Sequence, residues 1–501
     1  MRLDDVKQVD VVVVGAGNAA VCSALAAHDA GAKVVILEKA PEAERGGNSF
    51  FTAGATRFVF NNIEELREVL DVSIEEARTV DFGTYTEENF FDDMGRVTHY
   101  RCDPDLTEVL VRNSRRTLAW MKSKGVRFEA MYGRQAHKVG GRFKFFGGMV
   151  CAFWGGGAGL MEGLQEAAKK ARIPVLYDTS AQSLLYRGGR VYGVLAESGG
   201  EQAEIAAGAV VLACGGFESN AEMRARYLGP NWDLAKVRGT RFNTGGGLNM
   251  ALGIGAMPCG HWSGAHAVGW DMNAPPFGDR IVGDGFQKHS YPFGIMVNAN
   301  GERFVDEGAD FRNYTYAKYG QDVLKQPGMF AWQVYDAKVA HLLRDEYRIK
   351  QVTKVEAGSI EELADRLEGV DAKRFLKTVS EYNEAVCRDI PFSTVVKDGR
   401  CTRGLEIPKS NWAETIDKPP FQAYAITCGI TFSFGGVKVS PQAAVQSVSG
   451  RDIRGLYAAG EMVGGLFYFN YPSGTGLVSG AVFGRIAGTQ AASHAKKAVN
   501  A

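Results

Sequence analysis

A short glycine-rich stretch near the N-terminus has the residue types and spacing of a phosphate-binding turn. Gly15 and Gly17 follow an apolar, β-branched run at 9–14, and Ala20 comes shortly after them. The first glycine permits a tight turn, the second lets backbone approach a pyrophosphate, and the small third residue allows close helix–strand contact. A helix beginning here would also turn free N–H groups and the positive end of its dipole towards phosphate. The stretch therefore predicts a dinucleotide site.

A glutamate at the matching distance favours the same interpretation. Glu38 ends a second β-branched run at 33–38. About twenty residues beyond such a turn, a carboxylate can accept hydrogen bonds from both ribose hydroxyls of an adenosine. The same carboxylate would repel a 2′-phosphate, so NADP is disfavoured.

A βαβ unit must position these residues, and the sequence predicts one. Runs 9–14 and 33–38 indicate strands, and the alanines and leucines of 18–29 recur at helical spacing. A later apolar run at 209–213 leads to Gly215; beside the first strand, it would bring that glycine near the cofactor. The preceding stretch indicates a β-meander, with short strands at 183–186, 191–196 and 203–205.

The predicted fold class is α/β, a Rossmann-like dinucleotide-binding domain with a parallel sheet and a β-meander, plus an inserted α+β capping domain. The composition shifts towards His, Trp, Pro and Phe near Cys259, and patterns of the first domain return after Ala425. We therefore expect residues 1–260 to form the first part of the binding domain, 261–425 the capping domain, and 426–501 the C-terminal return.

The overall composition indicates small-molecule partners. Lysine plus arginine and aspartate plus glutamate number 57 each among 501 residues, so no global field favours nucleic acid. The eight cysteines show no CxxC or Cys/His metal spacing, which predicts buried thiols in a reducing cytosol and no metal site. The opening MRLDDVKQVD lacks the apolar core of a signal peptide, and no long uncharged apolar run indicates a membrane span. We expect a cytoplasmic protein that is not integral to a membrane.

Several motifs, in order along nearly the full length, resemble those of one flavoprotein family. They are VVVVGAGNAA with Glu38, GGNSFFTAG (46–54), VVLACGGF (210–217), NANGERFVDE (298–307), GLYAAGE (455–461) and NYPSGTG (470–476). The family includes fumarate reductase, succinate dehydrogenase and 3-ketosteroid Δ1-dehydrogenase. Within it the chain most closely resembles the FAD-dependent tricarballylate dehydrogenases, through finer likeness in the same segments and in FFGGMVCAFWGGGAGL. The resemblance implies that the dinucleotide is FAD and that the chain is an FAD-dependent oxidoreductase acting on CH–CH groups.

The resemblance also assigns residues to the cofactor. By their positions in these motifs, the FAD-binding residues would be Gly15, Gly17, Asn18, Ala19, Glu38, Lys39, Gly46, Gly47, Asn48, Ser49, Ala53, Gly54, Ala213, Gly215, Glu461, Ser473, Gly476 and Leu477. Membrane-bound fumarate reductases tether the flavin through a histidine in the motif that corresponds to GGNS, whereas this chain has Asn48 there. The resemblance therefore implies non-covalent FAD.

The catalytic residues implied by the resemblance combine features of fumarate reductase with features of the 3-ketosteroid dehydrogenases. Fumarate reductase protonates its substrate with an arginine after its RFVNE hairpin, and Arg312 is the candidate here, one residue further along. His266 falls near a carboxylate-binding histidine of the family. Where fumarate reductase has a second arginine, this chain has Tyr471, as in the 3-ketosteroid dehydrogenases, in which a tyrosine hydroxyl polarises the substrate carbonyl. We predict Arg312, Tyr471 and His266 as catalytic residues.

The leading function is an FAD-dependent dehydrogenase that introduces a C=C bond α,β to a carboxylate or carbonyl, most specifically tricarballylate to cis-aconitate. Hydride would pass to flavin N5 while a base removes a proton, and guanidinium forks would clamp the carboxylates. Besides Arg312, candidates are Arg57, Arg142, Arg241 and His289; a solvated surface charge is the alternative for each arginine.

The partners would be a small carboxylate or keto substrate and a separate electron acceptor, either a quinone or a redox protein. The sequence has no ligand pattern for an iron–sulfur cluster or haem. A Δ1-dehydrogenase of a cyclic ketone or oxo-acid that uses Tyr471 is the competing enzyme. A non-catalytic flavin electron carrier is the alternative of another class.

Overall fold

A computed structural model of the chain describes residues 3–499. Its strands are β1 (Gln8–Val14), β2 (Val34–Leu37), β3 (Ala55–Thr56), β4 (Val80–Asp81), β5 (Phe128–Ala130), β6 (Ala136–Val139), β7 (Arg142–Phe145), β8 (Cys151–Phe153), β9 (Val175–Leu176), β10 (Thr179–Arg187), β11 (Arg190–Ser198), β12 (Glu201–Leu212), β13 (Lys236–Val237), β14 (Pro258–Asp271), β15 (Ile295–Val297), β16 (Ala331–Tyr335), β17 (Lys354–Ala357), β18 (Phe421–Val437), β19 (Ala444–Gln446) and β20 (Asp452–Ala458). Its α-helices are α1 (Asn18–Asp29), α2 (Ile63–Arg67), α3 (Ile74–Thr79), α4 (Glu87–Val97), α5 (Pro104–Ser123), α6 (Tyr132–Gln135), α7 (Gly156–Lys170), α8 (Ala221–Leu228), α9 (Gly246–Gly253), α10 (Tyr316–Leu324), α11 (Ile360–Arg366), α12 (Ala372–Ala385) and α13 (Thr475–Val499).

The largest sheet contains the predicted βαβ unit. Its strand order is β10-β11-β20-β12-β1-β2-β9, with β19 beside β20. Strand β1 pairs in parallel with β2 and β12, and β12 pairs in parallel with β20. The continuous valine run of β1 is buried, as expected for a parallel strand covered on both faces. This topology agrees with the predicted α/β class.

The predicted meander is present, with one difference in strand division. Strands β10, β11 and β12 pair antiparallel in sequence. The predicted runs 203–205 and 209–213 belong largely to the single strand β12. The first half of β12 pairs with β11 and is partly exposed, whereas its second half is buried between β1 and β20. The change in burial along one strand interrupts the hydrophobic pattern and makes it resemble two strands.

Helix α13 packs closely on α1 because glycines remove the side chains between them. A Cβ at Gly484 would lie only 2.5 Å from the carbonyl oxygen of Ala19, and one at Gly488 would overlap the carbonyl of Ser23. Asn18 Nδ2 donates to the carbonyl of Leu477 at 2.8 Å. The N-termini of both helices therefore lie together beyond the carboxyl end of β1.

The capping part is built on a six-stranded, mostly antiparallel sheet. Its order is β13-β18-β16-β15, and β14 and β17 also pair with β18. The predicted boundaries at 260 and 425 both fall inside strands, β14 and β18, which pair with each other from Pro258–Val437 to Asp271–Ile426. The division into domains stays a prediction, and both of its boundaries lie within these two long strands.

Two small three-stranded sheets, β3-β8-β5 and β4-β7-β6, complete the fold. Within residues 3–499, none of the helices combines the length and apolarity needed to cross a bilayer.

Candidate active site

A deep cavity lies where the large sheet meets the cap. It encloses about 1930 Å³ of empty space, counted with its open mouth. On one side it is lined by the turn after β1, the end of β12 and the start of α13, and on the other by β18 and loops of the cap. Ligands of open parallel sheets bind outside the carboxyl ends of the strands, which is the position of this cavity.

The structure brings nearly all of the predicted cofactor residues to this cavity. Those on its wall are Gly15, Gly17, Asn18, Ala19, Glu38, Lys39, Gly47, Asn48, Ser49, Ala53, Gly54, Ala213, Gly215, Glu461, Ser473, Gly476 and Leu477. Gly46 is the exception: it has φ of 107°, and a Cβ there would face Met161 and Phe50. Gly46 shapes the turn that presents Gly47. The individual contacts with FAD stay predictions.

The turn after β1 forms a cradle that only glycine permits. Gly15 has φ of 102°, and a Cβ there would lie 2.6 Å from the carbonyl of Ala213. Its N–H donates to the carbonyl of Leu37 at 2.7 Å, which fixes the turn between β1 and β2. Gly17 caps α1 without a side-chain hydrogen bond, and the N–H of Asn18 donates to Ser49 Oγ at 3.1 Å. The next N–H groups of the first turn remain for a phosphate.

Glu38 is held ready to accept further hydrogen bonds. Its Oε2 accepts from the N–H of Ala16 at 2.7 Å, and its Oε1 accepts from the N–H of Ala40 at 2.8 Å. Burial raises the pKa of Glu38, and these backbone bonds oppose the rise. Each carboxylate oxygen keeps a second lone pair for a ribose hydroxyl. The glycine turn after β1, the N-termini of α1 and α13, and Glu38 therefore form a site that fits FAD.

Asn48 lines the cavity, but the protein itself uses its amide group. Its Nδ2 donates to Glu218 Oε1 and to the carbonyl of Thr431 at 2.7 Å, and its Oδ1 accepts from the N–H of Thr240 at 2.9 Å. Both amide hydrogens are therefore occupied. Asn48 ties the segment after β2 to cap strand β18.

The buried carboxyl group of Glu218 adjoins the half-buried carboxyl group of Glu461 beside the cavity. Glu218 Oε1 also accepts from Asn243 Nδ2 at 2.9 Å, whereas its buried Oε2 lacks a partner among the described residues. Glu461 Oε1 accepts from the N–H and hydroxyl of Ser433 at 2.6 and 3.0 Å. Burial, and then the charge of Glu218, raise the pKa of Glu461 well above its usual range, and burial raises that of Glu218. The raised pKa of Glu461 favours a proton on this carboxyl.

The cap side of the cavity is strongly basic. Arg134, Arg238 and Arg312 all line it. Asp284 accepts from Arg238 Nε at 2.9 Å and lies 3.2 Å from Arg134 Nη1. Arg344 adds a fourth guanidinium behind Arg134, donating to its carbonyl at 2.7 Å. Burial and the charge of Arg312 lower the pKa of Arg344 to about 9. Buried Glu346 is a second carboxylate near Arg134, Arg312 and Arg344, so the four guanidinium groups outnumber the two carboxylates.

Arg312 has donor capacity left for a ligand. Its Nη2 donates to Gln135 Oε1 at 2.9 Å, while its buried Nε lacks a hydrogen-bond partner within residues 3–499. Burial lowers the pKa of Arg312. The guanidinium can bind an anion and is also closer to giving up a proton than an exposed arginine.

Tyr471 faces the same cavity and is paired with a second tyrosine. Its hydroxyl is 2.5 Å from the hydroxyl of Tyr316, and both residues line the wall. Burial and the neighbouring Tyr316 raise the pKa of Tyr471 well above its usual range. The hydroxyl therefore stays protonated and can donate to a substrate oxygen.

The structure places His266 behind the cavity wall, and its catalytic role stays a prediction. It is fully buried, with its ring stacked on Phe432 at 5.2 Å and set edge-on to Tyr471 at 4.8 Å. Burial and the charge of Arg238 lower the pKa of His266 well below its usual range, so the ring is neutral. His266 packs against Tyr471, and within the described residues neither of its ring nitrogens has a hydrogen-bond partner.

Three of the arginine candidates also lie elsewhere. Arg57 is buried but pairs with Asp93 at 2.9 Å. Arg142 is exposed on β7 and donates to the carbonyls of Thr79 and Arg78. Arg241 is exposed and pairs with Glu44. Sequence reasoning instead missed Arg134, Arg238 and Tyr316, since no motif marks them and only the folded cap brings them together.

His289, the remaining clamp candidate, is buried, and neither ring nitrogen has a hydrogen-bond partner within the described chain. Burial, then the charges of Arg312 and Arg238, lower its pKa well below the usual range. In the same residues, no cluster of His, Cys, Asp and Glu is arranged to hold a metal ion.

Comparison with known proteins agrees with this architecture. A family model described as FAD binding domain matches residues 10–477. The NADH:fumarate oxidoreductase of Klebsiella pneumoniae (strain 342) is 29% identical over 497 residues, which cover 98% of this chain and 48% of that protein. This chain thus spans about half the length of that relative. The 3-oxosteroid 1-dehydrogenase of Mycobacterium tuberculosis (strain ATCC 25618 / H37Rv) is 25% identical over 98% of this chain and 100% of that protein.

A solved structure is similar over nearly the whole chain. It is the open conformation of a flavocytochrome c3 fumarate reductase, with a TM-score of 0.71 and 27% identity over 98% of this chain and 79% of that one. The predicted α/β fold class, the cofactor FAD and the assignment to FAD-dependent oxidoreductases are confirmed. The chain belongs to the FAD-binding flavoprotein family that includes the fumarate reductases and the 3-ketosteroid dehydrogenases.

Proposed function

We propose that the chain interconverts a C–C and a C=C bond next to a carboxylate of a small polycarboxylate, with tricarballylate to cis-aconitate as the leading reaction. The observation that carries this proposal is the placement of Arg134, Arg238 and Arg312 on one cavity wall, where Asp284 is the carboxylate that pairs with the first two. A buried excess of guanidinium charge is costly unless an anion completes it. Several carboxylates on one small molecule would do so.

The residues divide the work as follows. Bound FAD supplies a two-electron acceptor or donor. Arg134 and Arg238, held by Asp284, orient carboxylates by charge and by hydrogen bonds. Arg312, whose side chain lines the cavity, moves the proton on the neighbouring carbon, aided by its lowered pKa. Tyr471 donates its hydroxyl to a substrate oxygen and stabilises the charge that develops there.

A second function is favoured by the tyrosine pair. Tyr316 and Tyr471 would polarise the carbonyl of a cyclic ketone or oxo-acid, as required for Δ1-dehydrogenation. A rigid ketone would need no carboxylate clamp, so Arg312→Ala would then cost little. The basic wall is unexplained by this alternative, and we therefore rank it second.

We also propose that the electrons leave to a separate quinone or redox protein and that the protein is cytoplasmic. The eight cysteines are free thiols in the structure, in keeping with a reducing compartment.

The deciding experiment is anaerobic bleaching of the flavin absorbance, with tricarballylate, succinate and a cyclic keto acid added in turn to the FAD-loaded protein. Rapid bleaching by tricarballylate alone is expected. Bleaching by the keto acid alone would instead favour the Δ1-dehydrogenase reaction that uses Tyr471. Oxidised protein that no substrate bleaches, but that dithionite reduces and an acceptor reoxidises, would favour the non-catalytic carrier.

A further inference from the structure

Two cysteines face each other within the cap, away from the cavity. Sγ of Cys387 lies 3.6 Å from Sγ of Cys401. Cys387 is buried just after α12, and Cys401 is half-buried where the chain returns from the loop 388–400. The two thiols already touch without a covalent bond.

The backbone holds the two residues in opposed positions. The N–H of Cys387 donates to the carbonyl of Cys401 at 2.9 Å, and the N–H of Arg403 donates to the carbonyl of Ala385 at 2.9 Å. Between these bonds, Val386 and Thr402 form an antiparallel bridge. Directly opposed residues of an antiparallel pair have Cα atoms about 4.5–5.5 Å apart. Disulfides span Cα separations of about 4.4–6.8 Å, so only side-chain rotation is needed to join the sulfurs.

We propose that Cys387 and Cys401 form a reversible dithiol–disulfide site that reacts with small disulfides of the glutathione type. The more accessible Cys401 thiolate attacks one sulfur of the external disulfide and releases one small thiol. The Cys387 thiolate then attacks the Cys401 sulfur of this mixed disulfide and releases the second. The protein loses two electrons and two protons, and the external disulfide takes up both to become two thiols.

The order of attack follows from the surroundings of the two sulfurs. Burial and the hydrogen bond with Cys401 raise the pKa of Cys387. A thiol that is buried and slow to ionise is a poor first nucleophile for an external disulfide. It is well placed to resolve a mixed disulfide 3.6 Å away.

The site lies at the base of a loop that braces the segment leading to Arg312. Trp412 Nε1 donates to the carbonyls of Ser393 and Val396 at 2.8 and 3.1 Å, and its ring lies 5.5 Å from that of Phe311. Lys397 Nζ lies 3.6 Å from Asp310. Joining Cys387 to Cys401 would therefore restrain the loop that packs against residues 310–311.

The test treats the FAD-loaded, reduced protein with glutathione disulfide, followed by intact mass and peptide mapping. We expect a Cys387–Cys401 cross-link without retained glutathione, reversal by dithiothreitol, and severalfold slower amide hydrogen exchange in 388–400. Glutathione retained on Cys401 of the wild-type protein, or no reaction at either cysteine, would overturn the proposal. Unchanged amide exchange in the cross-linked protein would overturn the restraint of the loop.

Two matched variants separate the two steps of the exchange. Cys387→Ser should trap glutathione on Cys401, whereas Cys401→Ser should leave Cys387 largely unmodified. Cys102→Ser, which removes another half-buried thiol, should cross-link as the wild type does. Equal trapping of glutathione in the two cap variants would contradict the assigned order of attack.

Discussion

At the scale of single residues, the site depends on how burial changes charged groups. Arg312 loses part of its affinity for a proton through desolvation, whereas Arg238, although also buried, has its pKa raised by Asp284. An arginine can therefore stay permanently charged at one position and exchange a proton at the other. Residue type in the sequence does not distinguish these cases.

Replacing Arg312 by alanine tests the assigned role in proton movement. We expect Arg312→Ala to slow flavin bleaching by tricarballylate by about 10²–10⁴-fold, the usual contribution of a general acid or base. FAD content should be unchanged, because the predicted cofactor contacts lie on other elements. Stopped-flow absorbance under anaerobic conditions measures the rate.

Arg142→Ala is the control, since Arg142 is exposed and bonds only backbone carbonyls. A similar loss of rate in both variants would contradict a specific role for Arg312.

The carboxyl pair Glu218 and Glu461 predicts a pH effect on stability. Because their pKa values are raised in the folded state, the folded protein binds more protons than the unfolded chain above pH 4.5, the ordinary value for glutamate. Their contribution to stability therefore falls as pH rises from 4.5 through the raised pKa values. Glu218→Gln keeps an acceptor for Asn48 and Asn243 and provides a donor to Glu461. We expect this variant to lose less thermal stability than the wild type as pH rises.

Thermal unfolding midpoints across that pH range make the comparison. Glu222→Gln serves as control, because Glu222 is an exposed glutamate of α8 and should leave the pH profile unchanged. Parallel profiles for the wild type and Glu218→Gln would show that the pair does not share a proton.

At the scale of elements, the cofactor cradle depends on how closely two helices approach. Helix α1 presents Gly17, Asn18 and Ala19 to the cavity, and α13 presents Gly476 and Leu477. Their spacing is set further along, where Gly484 meets the backbone of α1. The packing of α13 on α1 thus fixes the geometry of the cofactor cradle.

A methyl group at this contact should separate the helices. Gly484→Ala would place Cβ 2.5 Å from the carbonyl oxygen of Ala19 and 3.2 Å from Cβ of Cys22. Overpacking of this kind costs about 1–3 kcal/mol in the free energy of unfolding. We expect a lower unfolding midpoint and a lower FAD-to-protein ratio after purification, because Ala19 would shift.

Gly253→Ala is the matched substitution, since nothing lies within 4 Å of a Cβ at the end of α9. It should leave both quantities unchanged or slightly raise stability. FAD occupancy that falls equally in both variants would argue against the α1–α13 contact as its cause.

At the scale of the whole molecule, the cavity joins parts that are distant in sequence. The large sheet contributes the cradle, the cap contributes Arg312 and Tyr316, and Tyr471 comes from the segment just before α13. Strands β14 and β18 connect the two parts through continuous pairing. A ligand that fills the cavity contacts both parts and should stabilise the whole chain.

Bound FAD should be removable and strongly stabilising. Asn48 offers no nucleophile for a flavin tether, so acid precipitation should leave all flavin in the supernatant and a colourless pellet. Adding FAD at about 100 times its Kd to the stripped protein should add about 2.7 kcal/mol to the free energy of unfolding. Absorbance of the two fractions and thermal unfolding with and without FAD provide the measurements. A yellow pellet would contradict non-covalent binding.

The sequence by itself determined the cofactor half of this protein. Gly15, Gly17 and Glu38 belong to one short βαβ unit, so local spacing alone fixes their relation, and motif resemblance extended it to Glu461 and Gly476. Only the tertiary structure decided which basic groups face the cavity. Arg134, Arg238 and Arg312 come from separate segments, and Arg57 and Arg142 differ from them only in which neighbours the fold provides. Whether a charge faces a cavity, pairs with a carboxylate or meets solvent depends on contacts between distant residues, and no local pattern encodes those.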